Sequence, residues 1–167
     1  QAFSIDDSMT TEIDDALSVQ GLGTGTVIYG IHIAAPGLAF APGTPIDTLA
    51  RGRMSTVYMP GHKITMLPDS VVQTYTLIEG RDCPAVSLYV TFDEATLEVK
   101  ASETKLERVP IVANLRHHGT ARLDEAFPAG EIPEDVPFAR ELHVLWRMAL
   151  ALEAGRGKQP NAVERAE

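Results

Sequence analysis

The segment Ser4-Ile5-Asp6-Asp7-Ser8-Met9-Thr10-Thr11-Glu12-Ile13-Asp14-Asp15-Ala16 constrains this chain more than any other part of it. Asp6, Asp7, Glu12, Asp14 and Asp15 fall within ten positions, and residues 1–50 contain no Lys or Arg to balance them. Ala2–Ile5 and Ala16–Val19 read as strands on either side, so a folded chain must hold several carboxylates close together. Like charges at that distance raise one another's pKa and cost stability unless a cation neutralises them. Oxygen ligands without nearby His or Cys suit Mg²⁺, Mn²⁺ or Ca²⁺ rather than zinc. Asp14 and Asp15 are adjacent, so in extended backbone their side chains diverge to opposite faces. Each could then face one of two metal sites, or one could hold metal while the other positions water. Asp6 and Glu12 would close the loop on the same point, and a pair of divalent ions about 3.5–4 Å apart is the usual clamp for displacement at phosphorus. Two other readings stay open at this point. One is a solvated acidic turn without a ligand; the other is a structural Ca²⁺ loop, although the EF-hand spacing is absent.

With 167 residues the chain has the length of one domain with a real core. A hydrophobic share of 44% and a charged share of 22% exclude a disordered acidic tail, a collagen-like repeat and a coiled coil. The longest apolar run, Val27–Phe40, is interrupted by Gly30, His32, Pro36 and Gly37, so it cannot span a bilayer. The single cysteine, Cys83, excludes a disulfide framework and fits a reducing, cytoplasmic setting. The chain opens Gln-Ala-Phe, without an initiator Met or a signal-peptide pattern, and is expected to be a piece of something longer. Its net charge of −9 argues by itself against phosphate binding, yet every basic residue lies from Arg51 onward, so the distribution carries more than the sum.

The expected class is α+β, with a mixed or antiparallel sheet core and flanking helices. Thr26–Ala34, rich in β-branched and aromatic residues, reads as a central strand stopped by Pro36-Gly37. Gly21–Gly25 reads as a hairpin turn. Thr44 and Pro45 read as the cap and first position of a short helix through Arg53. Met59-Pro60-Gly61 and Leu67-Pro68-Asp69 mark turns bounding an irregular stretch. Ala85–Phe92 alternates and returns through Asp93–Thr96 along Leu97–Val109 as a hairpin. Asn114–Ala126 and Pro137–Glu153 read as helices, linked by Pro128–Pro137. As one partial domain, the chain divides into a β-rich part over 1–109, a helical part over 110–154 and a polar tail over 155–167.

With these residues in view, the chain resembles the ribonuclease II family, whose catalytic RNB domain opens with T-I-D, a short loop and D-x-D-D-A. Here that reads Ser4-Ile5-Asp6, then Glu12-Ile13-Asp14-Asp15-Ala16. Tyr29-Gly30-Ile31-His32-Ile33-Ala34 resembles the family's G-V-H-I-A strand, and Pro42-Gly43 with Ile46-Asp47 its P-G-S-x-L-D. Ser55–Pro60 and Met66-Leu67-Pro68 resemble S-V-Y-L-P and M-L-P; Arg81, Ala85 and Ser87 resemble R-x-A-x-S with a longer gap. The helix through Leu145–Leu150 is similar to a leucine-rich helix of the family.

The resemblance implies a 3′→5′ exoribonuclease that hydrolyses single-stranded RNA to nucleoside 5′-monophosphates, with this chain as the N-terminal half of the catalytic domain. Its partners would be RNA and the remaining C-terminal half, and no membrane. By position, Asp6, Glu12, Asp14 and Asp15 would hold Mg²⁺, with Mn²⁺ as a substitute. Asp14 matches the aspartate most critical for cleavage, with Asp15 and Asp6 as further catalytic residues. Tyr58 matches a tyrosine that packs against the 3′-terminal nucleotides of RNA. Three departures are visible. Glu12 stands where the family usually has Asp, Ala35 replaces an Asp common after H-I-A, and Asn114 falls where a tyrosine is used.

Other residues read more plainly as structure. His32 is expected to be a hydrogen-bonded core histidine, Cys83 a buried inert thiol and Trp146 a core residue. Adjacent His117 and His118 diverge on a helix and are not expected to bind metal together. Two further classes of function remain: a catalytically incompetent RNA- or protein-binding module on a decayed RNB fold, and a Ca²⁺-stabilised scaffold.

Overall fold

A computed structural model describes residues 1–156. Of the polar tail expected over 155–167, Gly155 ends the last helix and residues 157–167 lie outside the described part. Strands β1 (Ala2–Asp6), β2 (Asp15–Gln20), β3 (Thr26–Ala34), β6 (Asp82–Asp93) and β7 (Val99–Arg116) close a barrel in the order β1-β2-β3-β6-β7. All neighbours are antiparallel except β1 and β7, which run parallel and close the ring. Between β3 and β6 lie helix α1 (Pro45–Arg53), the small antiparallel hairpin β4 (Val57–Met59) and β5 (His62–Ile64), and helix α2 (Asp69–Tyr75). The chain ends with α3 (His117–Thr120), α4 (Leu123–Ala126) and the long α5 (Ala139–Gly155). The mixed sheet with flanking helices matches the expected α+β class, and β3 is central as its sequence predicts, paired with β2 on one side and β6 on the other.

A five-stranded barrel has a narrow interior, and the inward positions are correspondingly small: Ala16, Ser18, Gly30, Ala85 and Ser87. The space they leave is filled by one large polar side chain. His32 is fully buried, with Nε2 2.9 Å from Ser18 Oγ and Nδ1 2.8 Å from Ser87 Oγ. Both ring nitrogens are therefore satisfied, which a buried polar group requires. Burial holds the imidazole below its ordinary value, against the opposing pull of the Glu107 carboxylate. Gly30 is dictated by this arrangement. A Cβ there would lie 2.3 Å from Ser18 Oγ and 2.8 Å from His32 Nε2.

The outer face is apolar and only partly covered. Phe3, Ile5, Leu17, Tyr29 and Leu115 pack under Leu142, Leu145 and Phe127 of the C-terminal helices, and the Phe3 and Phe138 rings stack at 4.3 Å. Further along the same face Ile33, Val86 and Leu106 form a row across β3, β6 and β7 and are 47%, 44% and 61% exposed.

β7 serves two partners in succession. Val99–Pro110 pairs with β6 and Ile111–Arg116 pairs with β1, so the first half of the strand, exposed on both faces, reaches past the closed part of the barrel. This corrects the helix expected over Asn114–Ala126. Asn114, Leu115 and Arg116 are strand residues because their backbone closes the barrel against Ser4, Ile5 and Asp6, and only α3 and α4 remain as short helical turns. The helical part accordingly begins at His117 rather than 110. The stretch between Met59 and Asp69 is also more regular than expected, holding β5 and leading into α2. Thr44 starts α1 as expected but makes no side-chain cap; its hydroxyl donates to the Ala41 carbonyl at 2.8 Å. Asp47 reaches back instead and accepts from the Gly43 N–H at 2.8 Å.

Two outcomes follow from the barrel interior. Gly30→Ala forces Ser18 and His32 apart and is expected to lower unfolding stability by about 1–3 kcal/mol, read from urea denaturation. Because His32 is held below its ordinary value of 6.5, the unfolded chain takes up a proton that the folded chain refuses as pH falls past that point. Stability therefore declines on acidification, with a slope of up to ~1.4 kcal/mol per pH unit from this group. Urea midpoints between about pH 5.5 and 7.5 should show that component in the wild type and lack it in His32→Asn.

Candidate active site at the acidic loop

The acidic loop joins β1 to β2 at one mouth of the barrel, and its ends are fixed by the sheet. Ser4 and Asp6 point to the interior side of β1; Ser4 Oγ donates to Asp6 Oδ2 at 2.6 Å and accepts from Asn114 Nδ2 at 2.9 Å. Asn114 also donates to the Leu77 carbonyl at 3.0 Å and accepts from the Glu79 N–H at 2.8 Å, so it knits three segments together beneath the loop. At the other end the Ala34 N–H donates to the Asp14 carbonyl at 2.9 Å. Between the ends, Ile13 is the loop's anchor. It is buried, its N–H donates to Thr76 Oγ1 at 2.7 Å and its carbonyl accepts from the Leu77 N–H at 2.9 Å.

Strand alternation separates the two adjacent aspartates, as the sequence predicts. Asp14 lines a cavity of about 200 Å³ walled by Ala34, Pro36, Met66, Leu67 and Tyr75. Asp15 lies at the start of β2, and its charge acts on Tyr29 of the outer apolar cluster. The Asp14 carboxyl is raised above the ordinary carboxylate value. Loss of water against the cavity wall contributes most, followed by the negative charges of Glu12, Asp15 and Asp6, while Lys63 opposes them. The four carboxylates that the sequence groups together are therefore electrostatically one cluster centred on Asp14.

They are not a preformed coordination shell. Among the described residues no three His, Cys, Asp or Glu side chains come close enough together to hold a metal ion. The reason is visible in the partners. Glu12 Oε1 is held by the Lys63 ammonium, which also donates to Thr11 Oγ1 at 3.1 Å. Asp6 is engaged by Ser4. Asp7 points away, with Oδ1 3.9 Å from His117 Nε2.

Two basic side chains that the sequence reading did not single out settle the loop. Arg116 Nη1 donates to the carbonyls of Asp7 at 2.8 Å and Thr10 at 3.2 Å. Lys63 projects from β5 directly opposite Tyr58 on β4. Tyr58, 73% exposed, lines with Lys63, Glu12, Asp7 and Met9 a groove of about 670 Å³ between the hairpin and the loop. A signal for Lys63 exists in retrospect, since it is the first lysine of a chain whose opening stretch is purely acidic.

The remaining candidates fall where their environments explain them. Cys83 is buried and hydrogen-bonded to the Thr76 carbonyl at 3.5 Å. Arg81 caps α2, donating to the Thr76 carbonyl at 2.8 Å and the Gln73 carbonyl at 3.2 Å. Ser87 holds His32, and Trp146 packs on the helical side of the core near Phe127. No helix of the described residues is long and apolar enough to cross a membrane.

The sequence matches the RNB domain over residues 1–164. An uncharacterized ribonuclease of Synechocystis is 38% identical over 95 residues, which are 56% of this chain and 14% of that protein, so this chain spans a small part of the relative's length. Among solved structures, Mycoplasma genitalium RNase R in complex with ribose-methylated single-stranded RNA has the same fold, with a TM-score of 0.76 and 17% identity, covering 93% of this chain and 24% of that one. Yeast Ssd1, a pseudonuclease, superposes with a TM-score of 0.78 at 23% identity, covering 99% of this chain and 19% of that one. With the acidic loop at a barrel mouth and a match along nearly its whole length, the chain belongs to the RNB domain family, the ribonuclease II family that its motifs resemble.

Proposed function

We propose that this chain is the N-terminal half of the catalytic domain of a hydrolytic exoribonuclease that shortens single-stranded RNA from its 3′ end and releases nucleoside 5′-monophosphates. The observation that carries the reading is that the charges of Glu12, Asp15 and Asp6 act together on the raised carboxyl of Asp14, which lines a cavity with Glu12, while Glu12 also lines the adjoining groove that holds Tyr58. Concentrated negative charge of that kind is the complement of a divalent cation, which in phosphodiester hydrolysis supplies an activated water and shields the leaving oxygen. Mg²⁺, with Mn²⁺ as substitute, is the ion we assign to Asp6, Glu12, Asp14 and Asp15. As they stand these side chains do not fit around it, because Lys63 holds Glu12 and Ser4 holds Asp6.

Each side chain has a role in this reading. Asp14, which lines the cavity, orients the attacking water; its carboxyl, raised by burial and then by the negative charges of its neighbours, is the group that a cation's positive charge relieves most. Asp15 and Asp6 keep the local field negative. Tyr58 offers an exposed ring on which a terminal base stacks, a contact that is indifferent to sequence. The rest of the RNA channel belongs to the C-terminal half of the domain, consistent with the small share of the ribonuclease relative that this chain spans. A cytoplasmic setting goes with the reading, supported by the single buried thiol.

A second reading has an observation of its own. Lys63 on Glu12, together with the likeness to a pseudonuclease, supports an RNA-binding module that no longer cleaves.

A 5′-labelled single-stranded RNA, incubated with the intact protein in Mg²⁺, Mn²⁺ or chelator, tests both. Metal-dependent shortening from the 3′ end that drops at least ~100-fold in Asp14→Asn supports the nuclease; binding without shortening supports the second reading. Because the Asp14 carboxyl is raised in the fold, its charge opposes folding at neutral pH, so Asp14→Asn should melt no lower than wild type. Tyr58→Ala is expected to weaken RNA binding by ~1–3 kcal/mol in a fluorescence anisotropy titration while leaving the melting temperature unchanged.

A further inference from the structure

The barrel wall is closed only in part. β1 holds β2 and β7 together over Ala2–Asp6, yet both neighbours run on past Ala2, β2 forwards to Gln20 and β7 backwards to Val99. Where β1 stops there is a cavity of about 190 Å³, lined by Ser18 and Gln20 of β2 and by residues 107–110 of β7, and reaching His32 and Tyr89. Strand alternation says which backbone groups it exposes. The Ile111 N–H donates to the Arg81 carbonyl on the β6 side at 3.0 Å, and the β6–β7 register is unbroken from Asp82↔Pro110 to Thr91↔Ala101. The N–H and C=O groups of Ser102, Thr104, Leu106 and Arg108 therefore face away from β6, on the side where β1 lies. Pro110 has no N–H to give there. Among the described residues no strand pairs with 99–107 on that side. At the same edge Leu106, 61% exposed, ends the apolar row that runs from Ile33 through Val86.

We propose that in the full-length protein this slot is filled by the polypeptide immediately preceding Gln1, which continues β1 backwards as a parallel strand along the open edge of β7. Continuity with the existing seam favours this occupant. β1 enters the slot end-on and already sets direction and register on β7, so its continuation needs no connecting loop. The register Phe3↔Leu17 also puts Gln1 and the residue before it opposite Val19 and Gln20, so the first extra residues have a strand on each side. This chain spans 24% of RNase R and 14% of the Synechocystis ribonuclease, so most of the polypeptide of those proteins lies outside the matched part. Counting back from Ala2 opposite Ile111, the fourth residue before Gln1 falls beside Leu106 on the outer face, where an apolar side chain continues the row. The charges along 99–107 do not exclude such a strand, because a tethered segment reaches the edge at an effective concentration that a separate molecule does not match.

Residue-resolved amide exchange on the full-length protein tests whether the edge is covered, and β7 carries its own control. Glu103, Lys105 and Glu107 face β6 whether or not the slot is filled. With it filled, Ser102, Thr104 and Leu106 are expected to exchange within about tenfold of those neighbours. Exchange on the order of 100-fold faster at these three overturns the proposal. Disulfide formation then identifies the occupant. In full-length protein that keeps its native melt, a cysteine at the fourth residue before Gln1 is expected to cross-link to Leu106→Cys. One at the third residue, which faces the barrel interior, should do so at least about tenfold less. Slow exchange without the first cross-link, or with the two in equal yield, assigns the edge to another segment and overturns the proposal.

Discussion

The pairing of Ala2–Asp6 with Ile111–Arg116 is the contact on which the rest of this structure depends. It is the one parallel seam in the barrel, and it joins the chain's first strand to the end of its longest. Without it the sheet is an open meander and the acidic loop has one fixed end. With it, Asp6 lies beside Arg116 and Ser4 beside Asn114, so the loop departs from a platform that is already hydrogen-bonded on its inner side. The outer side of the same seam carries Phe3, Ile5, Ala113 and Leu115 against the C-terminal helices. One backbone register thus sets a polar floor for the site and an apolar seat for the helices.

Above that floor the molecule settles its excess of negative charge by local means. Arg116 binds carbonyls of the loop rather than its carboxylates, which fixes the loop's path without neutralising the residues the chemistry needs. Ile13 adds an apolar pin between the charges, buried under Leu77 and Ala16. Asp14 is raised by burial and then by the charges of its neighbours, and it lines a cavity. A group held in that condition is costly to the fold, and such sites are where function is commonly found. The His32 network contrasts with it: equally polar, fully enclosed, and satisfied on both nitrogens by Ser18 and Ser87, it packs the barrel.

Much of this was legible in the residues. The periodicity of Thr26–Ala34 and Ala85–Phe92 gave the central strands, Thr44-Pro45 the start of α1, and the carboxylate spacing the divergence of Asp14 from Asp15. The burial of His32 followed from its apolar strand, and that of Cys83 from a sequence that sets no His or other base around it. Barrel closure was not legible, because a parallel pairing of residues more than a hundred positions apart leaves no local signature. Asn114–Arg116 read as helix for the same reason: local preference was overridden by a long-range ladder. Lys63 escaped because its partner is set by the fold of an exposed hairpin, whose three-residue strands are too short to show alternation. The sequence also grouped Asp6, Glu12, Asp14 and Asp15 as ligands; the fold brings them into one field but gives two of them other partners.

The overhanging half of β7 bears on how the chain behaves among copies of itself. Over Val99–Glu107 one edge is occupied by β6, and among the described residues no strand pairs with the other. An unpaired edge is a template for another strand, and natural sheets blunt it with charge. Here Lys100, Glu103 and Lys105 are exposed along that half of the strand, with Lys105 3.1 Å from Glu103, while Glu107 turns to β6 and accepts from the Tyr89 hydroxyl at 2.6 Å. A second molecule adding itself there would have to strip water from these groups and set like charges against one another, while the adjoining row of Ile33, Val86 and Leu106 invites it. Colloidal behaviour therefore rests on solvated charge guarding an apolar neighbour, a guard that salt screens.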